Sequence, residues 1–378
     1  MNVTPLAGLL VVAVEQAVAA PFCTARLADA GARVIKIERP EGDFARGYDA
    51  ATPAGSSYFV WLNRGKESLV LDLAKANSRQ QLKTIIGHAD ILVQNLKPGA
   101  MDRMGLGTAS LRRDQPGLIC CSISGYGDNG PLASRKAYDL LVQAESGLAS
   151  ITGGPEGPAR VGVSVVDIAT GATAHAAILE ALIARSISGD GADIRISMFD
   201  VMADWLTVPL LNAEAGNPPA RVGLAHPSIA PYGMFTTADG RGILISIQSE
   251  REWLAMCRSV PGLGNLTQDQ RFASNVSRVA HRSETDTAVA HAFGALQANA
   301  LLDYLAAADI AFAEVNDMNA LSFHPHLRRI EVGTATGPLS FPAPGPIDAN
   351  APRHYGPVPS IGEHTAAVLA EFCDHMDG

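Results

Sequence analysis

Asp167 stands immediately before an alanine-rich stretch, Ile168 to Ser186, whose composition is helical throughout. A carboxylate in that place can accept hydrogen bonds from the unpaired amides of the first helical turn, as an N-cap does. A helix N-terminus also favours the ionised form, and an ionised carboxylate is the state that can attack an activated acyl carbon. The same amides are expected to be available to stabilise an oxyanion. Other catalytic signatures are missing: there is no Gly-x-Gly-x-x-Gly after the first strand, no P-loop, no Gly-x-Ser-x-Gly and no His-Glu-x-x-His. Redox dinucleotides, NTP hydrolysis, serine esterases and zincins are therefore disfavoured. Of the 10 histidines only His324 and His326 lie close together, around Pro325, which reads as a loop. The 5 cysteines (Cys23, Cys120, Cys121, Cys257, Cys373) form no Cys-x-x-Cys pair, so neither a disulfide framework nor a metal site is expected.

The elements that must carry Asp167 alternate as a parallel sheet with crossover helices requires. Leu9 to Val14 is a continuous apolar run, Pro21 to Ala30 has helical spacing and stops at Gly31, and Ala32 to Ile37 is a second strand. Further strands are read at Ser68 to Leu73, Asp90 to Gln94, Gly117 to Ser124 and Asp193 to Ser197, with helices at Arg79 to His88 and Ala100 to Arg113. Gly125 to Gly162 reads as long loops at one edge of the sheet. The fold class is α/β: a doubly wound, Rossmann-like large domain over 1–215, a linker over 216–230, a smaller α+β domain over 231–322, and a C-terminal segment, 323–378, returning to the large domain. Composition agrees with a packed protein, since 47% of the 378 residues are hydrophobic and 18% charged. A net charge of −9 without a basic run argues against nucleic acid as a partner. The apolar opening, Leu6 to Ala20, is broken by Glu15 and Gln16 and reads as a buried strand entering a helix; no membrane segment is expected, and the cytoplasm is the expected address.

Three stretches are more specific: Gln16 to Ile37 with Glu38-Arg39-Pro40; Asn95-Leu-Lys-Pro-Gly-Ala-Met-Asp-Arg-Met-Gly105; and Ser124-Gly-Tyr-Gly-Asp-Asn-Gly-Pro131 running through Tyr138-Asp139 to Val166-Asp167-Ile-Ala-Thr-Gly171. Together with His226-Pro-Ser-Ile-Ala-Pro-Tyr-Gly233, Asp239-Gly240 and Gly362-Glu363-His364-Thr365, they closely resemble the class III (CaiB/BaiF-type) coenzyme A transferases, across nearly the whole chain.

That resemblance implies a catalytic mechanism and a set of contacts. Asp167 would attack an acyl-CoA carbonyl, forming an aspartyl-acyl anhydride and then an aspartyl-CoA thioester, with a carboxylic acid as acceptor. Coenzyme A would be a substrate thioester, with no permanently bound cofactor. Arg39, Leu71, Asn95, Leu96, Lys97, Arg103 and Lys136 match positions of the family's CoA contacts, and a pocket-lining glutamine of the family falls near Gln16 or Val18, depending on where a gap is placed. Similar racemases carry His-Asp where this chain has Tyr138-Asp139, and inversion needs an acid and a base on opposite faces, so transfer is favoured over racemisation. The glycine run of the oxalate-using members is missing between Gly233 and Gly264, which counts against oxalate. The reading is an acyl-CoA:carboxylate CoA-transferase for small acids, dicarboxylic ones included, working as an interlocked homodimer. Two alternatives stay open: an acyl-CoA isomerase, by 2-methylacyl-CoA racemisation or intramolecular CoA transfer, and a non-catalytic CoA-ester binding protein.

Overall fold

The computed structural model describes residues 4–347 and 353–373. The chain forms two compact units, one of Met1–Leu148, Arg160–Val208 and Arg328–Gly378, the other of Ala149–Ala159 and Pro209–Leu327. The segment 149–159, placed by sequence inside 1–215, groups with the second unit.

In the first unit, strands β1 (Leu10–Val14), β2 (Arg33–Glu38), β3 (Lys66–Val70), β4 (Ile91–Gln94), β5 (Ile119–Ser124) and β6 (Asp193–Ser197) make one sheet in the order β3-β2-β1-β4-β5-β6. Every neighbouring pair is parallel. This is the doubly wound order, and alternate side chains of one strand enter different cores. Val11 and Ala13 of β1 pack with helix α1 (Ala19–Asp29), while Val12 and Val14 pack on the opposite side with the helix at Ala76–Ile86 and the C-terminal helix Thr365–Cys373. Side chains such as Leu27, Ile91, Ile119 and Leu82 are fully buried, each worth about 1.5–3 kcal/mol by removal from water.

Several segments differ from the sequence reading. Helices lie at Ser57–Asn63, Asp139–Glu145 and Leu148–Ile151, the last two within the stretch read as loop. The predicted helix Ala100 to Arg113 is two short helices, Ala100–Arg103 and Thr108–Asp114, because Gly105 takes a left-handed conformation between them. The long helix after Ser164 begins at Val165 and ends at Ser188; it is α2 below.

α2 is long and apolar enough to cross a membrane by length and composition, yet its Val166, Ala169, Ala174 and Ile178 are buried in the same core as α1. The two helices touch at Gly171, where an added Cβ would stand 2.4 Å from the Ala19 carbonyl oxygen and 2.9 Å from Phe22 Cβ. Only glycine permits that approach, and it brings the start of α2 beside the start of α1.

The Gly362-to-Thr365 motif has a structural task. β3 is an edge strand, and its Ser68 and Val70 amides donate to His364 Nδ1 at 3.2 Å and Thr365 Oγ1 at 3.0 Å. The C-terminal segment thus covers a sheet edge that would otherwise be open to pairing.

The second unit holds an antiparallel sheet of β7 (Tyr232–Thr236), β8 (Gly242–Ser246) and β9 (Ala311–Glu314). Asp239-Gly240 forms the turn between β7 and β8, with Gly240 at φ 81°. Helices at Glu250–Ser259, Arg282–Gly294 and Ala298–Ala307 cover it over a core around Trp253 and Phe293.

Candidate active site

A cleft of about 480 Å³ opens at the carboxyl ends of β1, β4 and β5, lined by Gln16 to Ala19, Asn95 to Pro98, Ser124, Gly125, Tyr138 and Asp167. β1 and β4 are the neighbours at which the strand order reverses, so the cleft occupies the switch point where ligands of such sheets bind. Of the residues singled out in the sequence, Asp167, Tyr138, Gln16, Asn95, Leu96, Lys97 and Lys136 line it together. Arg39, Leu71 and Arg103 do not. Arg39 and Arg103 are exposed, and Leu71 is buried in the core beside β3.

Asn95 serves the backbone. Its side-chain oxygen accepts from the Gln16 amide at 3.0 Å and its Nδ2 donates to the Gln16 carbonyl at 2.8 Å. The first turn after β1 is thereby tied to the first turn after β4.

The expected capping role of Asp167 is corrected by the structure. Ser164 is the N-cap residue of α2, and Asp167 is its third helical residue. The amides of Val166 and Asp167 donate to Oδ1 of Asp139, at 2.7 and 3.3 Å. Val165 donates to the Val163 carbonyl at 2.8 Å and Ile168 to that of Ser164 at 3.0 Å. The first-turn amides of α2 are therefore committed, and the expectation that they stabilise an oxyanion is corrected with it. Asp139 is held in turn by Gln143, whose Nε2 donates to Oδ2 at 2.6 Å and whose Oε1 accepts from Val161 N at 2.9 Å. Asp139, marked in the sequence only as part of the Tyr138-Asp139 motif, and Gln143, not marked at all, were missed as site residues; their i, i+4 spacing was a further local signal.

With the helix amides taken, Asp167 lacks the stabilisation that would keep it ionised. Burial, aided by the neighbouring Asp139 carboxylate, pushes its pKa up to about 7. The N-terminus of α1 is different. Pro21 has no N–H, Phe22 donates to the Val18 carbonyl, and the amides of Val18, Ala19 and Ala20 have no acceptor among the described residues. Val18 and Ala19 line the cleft with Asp167. Open amides at a helix N-terminus are the groups that bind developing negative charge.

Phe44, Tyr48 and Tyr58 form an aromatic wall, and burial together with Asp43, Asp167 and Tyr138 pushes the Tyr48 phenol up to about 12. Arg135, Lys136, Lys97 and Arg160 supply positive charge at the cleft. Arg135 is engaged by Glu145 at 2.5 Å, whereas among the described residues Lys97, Lys136 and Arg160 have no carboxylate partner.

A carboxylate and helix-start amides lining one switch-point cleft are groups with which acyl transfer can be carried out. The chain belongs to CoA-transferase family III, whose model matches residues 6–365. It is 33% identical to a succinate–glutarate CoA-transferase of Agrobacterium fabrum, over 97% of this chain and 96% of that one. It is 36% identical to an acetyl-CoA:oxalate CoA-transferase of Acetobacter aceti, with the same coverage of 97% and 96%. Among solved structures, a CaiB/BaiF family protein of Brucella suis aligns with a TM-score of 0.84 at 33% identity, over 98% of this chain and all of that one. The chain is thus an enzyme of the transferase class.

The raised pKa of Asp167 has a checkable sign. The folded value of about 7 lies above the ordinary 3.8, so between these pH values the folded state holds a proton that the unfolded chain has released. Stability therefore falls as pH rises through that window, and Asp167→Asn should flatten the dependence. A carbon-NMR titration of the Asp167 carboxyl should show a midpoint near 7, moved down by Asp139→Asn; a midpoint near 4 in the unmodified protein would refute the assignment.

Proposed function

We propose that this protein moves CoA between two small carboxylic acids by covalent catalysis at Asp167. The ionised Asp167 attacks the thioester carbonyl, and CoA thiolate leaves as the mixed anhydride forms. The thiolate attacks the aspartyl carbonyl, releasing the first acid and leaving an aspartyl-CoA thioester. The acceptor carboxylate then attacks that thioester, displacing the thiolate, which returns to the acceptor's carbonyl and frees Asp167. Each step exchanges one activated acyl bond for another, so no nucleotide is consumed. The observation that carries the reading is Asp167 in a switch-point cleft beside the open amides of Val18 and Ala19, which are suited to the tetrahedral oxyanions.

Lys97 and Lys136 suit the phosphates of CoA, and Asn95 and Leu96 the channel for its pantetheine arm. Arg39, Leu71 and Arg103 follow β2, β3 and β4 on the same carboxyl edge, where the adenine end of so long a ligand would lie. We assign the acceptor to the dicarboxylic acids. The A. fabrum relative is named for succinate and glutarate, and Arg160, whose Nε donates to the Val161 carbonyl at 3.1 Å and which has no carboxylate partner among the described residues, brings its remaining guanidinium donors to the cleft for a second carboxylate. A homodimer, interlocked as in similar transferases, accounts for exposed apolar side chains such as Ile183 and Ile187 of α2 with Trp205 and Val208.

Incubation with a panel of acyl-CoA esters followed by hydroxylamine should leave a hydroxamate on Asp167, seen by mass spectrometry, and Asp167→Ala should abolish both label and turnover. No label with any donor would end this reading. Arg160→Gln should lower kcat/KM for a dicarboxylate acceptor by roughly 10- to 100-fold while leaving a monocarboxylate of equal length nearly unchanged; equal losses would remove Arg160 from acceptor recognition. Sedimentation should give twice the 39.5 kDa chain mass, and a monomer at micromolar concentration would contradict the dimer.

A further inference from the structure

Next to the cleft lies a cluster of charges that this chemistry does not use. The side chains of Glu15, Lys36, Asp43 and Lys66 are completely buried. Lys36 Nζ donates to Asp43 Oδ2 at 2.8 Å and to Glu15 Oε1 at 3.3 Å, while Lys66 Nζ donates to Glu15 Oε1 at 2.6 Å. Thr24 Oγ1 donates to the other Glu15 oxygen at 2.6 Å. Buried ion pairs are seldom better for stability than apolar residues of the same volume. Their worth here lies in where the remaining Asp43 oxygen points.

Asp43 Oδ1 accepts from the Ala17 amide at 3.2 Å and from the Ala45 amide at 2.9 Å. Ala17 has φ 64°, and among the described residues only Asp309 shares that left-handed region without being glycine. An L-residue with a Cβ does not settle there unaided. The turn at Ala17 redirects the chain from β1 into α1, and the next amides are those of Val18 and Ala19. Through Ala45 the same carboxylate caps the short helix Phe44–Gly47, which carries Phe44 and leads to Tyr48 of the aromatic wall. One oxygen ties together two walls of the cleft.

We propose that Asp43, braced by Lys36, is a positioning residue: it holds Ala17 in its left-handed turn and so aims the Val18 and Ala19 amides at the acyl group carried by Asp167. The role rests on the covalent reading above. Asparagine cannot replace Asp43, since its amide must set an N–H against either the Lys36 ammonium or the Ala17 amide. Glycine at 17 takes a positive φ without help.

Asp43→Asn should therefore lower kcat about 100-fold with KM for acyl-CoA changed less than about 3-fold, the cost of misplacing groups around a reacting centre. Adding Ala17→Gly should restore at least about 10-fold of kcat, since glycine does not need the lost hydrogen bond. A purely structural Asp43 would give a kcat loss that follows melting temperature and that glycine does not relieve, because the buried pair stays broken; that result overturns the proposal. A test without variants guards against a misfolded Asp43→Asn. Hydrogen exchange on the unmodified protein should find the Ala17 amide protected throughout, with Val18 and Ala19 becoming protected only when Asp167 carries an acyl group. Protection of Val18 and Ala19 that is indifferent to acylation overturns it too. If Asp167 labels normally and Asp43→Asn keeps full kcat, the positioning role alone fails; if Asp167 never labels, the covalent reading fails first.

Discussion

The Oδ1 atom of Asp139 closes the N-terminus of a helix of 24 residues, and the chemistry of the cleft follows from that bond. A helix start beside a carboxylate nucleophile normally stabilises the anion. Here the dipole and the amides are already answered by Asp139, and Asp167, in the first turn of the helix, is left half-buried beside a like charge. Burial and that like charge push its pKa up to about 7, so the carboxyl is more basic than an ordinary aspartate while still ionised in good part near neutral pH. The amides of α2 are thus committed, whereas those at the start of α1 have no acceptor among the described residues.

Bringing those two helix starts together is a matter of steric allowance. α1 and α2 meet where Gly171 has no side chain, and the Ala19 carbonyl occupies the space that a Cβ would need. Asn95 and Asp43 then fix the turn that precedes α1, one by its two bonds to Gln16, the other through Ala17. Buried polar contacts thus hold that turn, and with it the amides that follow, in place.

The relatives share the reaction class and are named for different acids. Tyr138 is exposed in the cleft beside Asp139, at the position where the sequence resemblance separates transferases from racemases. Arg160, which the sequence did not mark, lies near the end of the segment read as loop and reaches the cleft from just before α2.

The strand runs, the α1 stretch, the alanine-rich helix and the motif around Asp167 were all legible in the sequence, since continuous apolar runs and helical spacing report burial that any fold of this class must supply. The motifs also marked Gln16, Asn95, Lys97, Lys136 and Tyr138, which do meet. What the sequence could not decide was which polar group answers which. Asp139 lies 28 residues from the amide of Asp167 that it binds, Asp43 lies 26 from that of Ala17, and a single chain holds no record of such distant pairings. Local spacing made Asp167 the cap; the tertiary structure gave that position to its neighbour, because a carboxylate reaching in from another helix is better aligned with the first-turn amides than one already inside the turn.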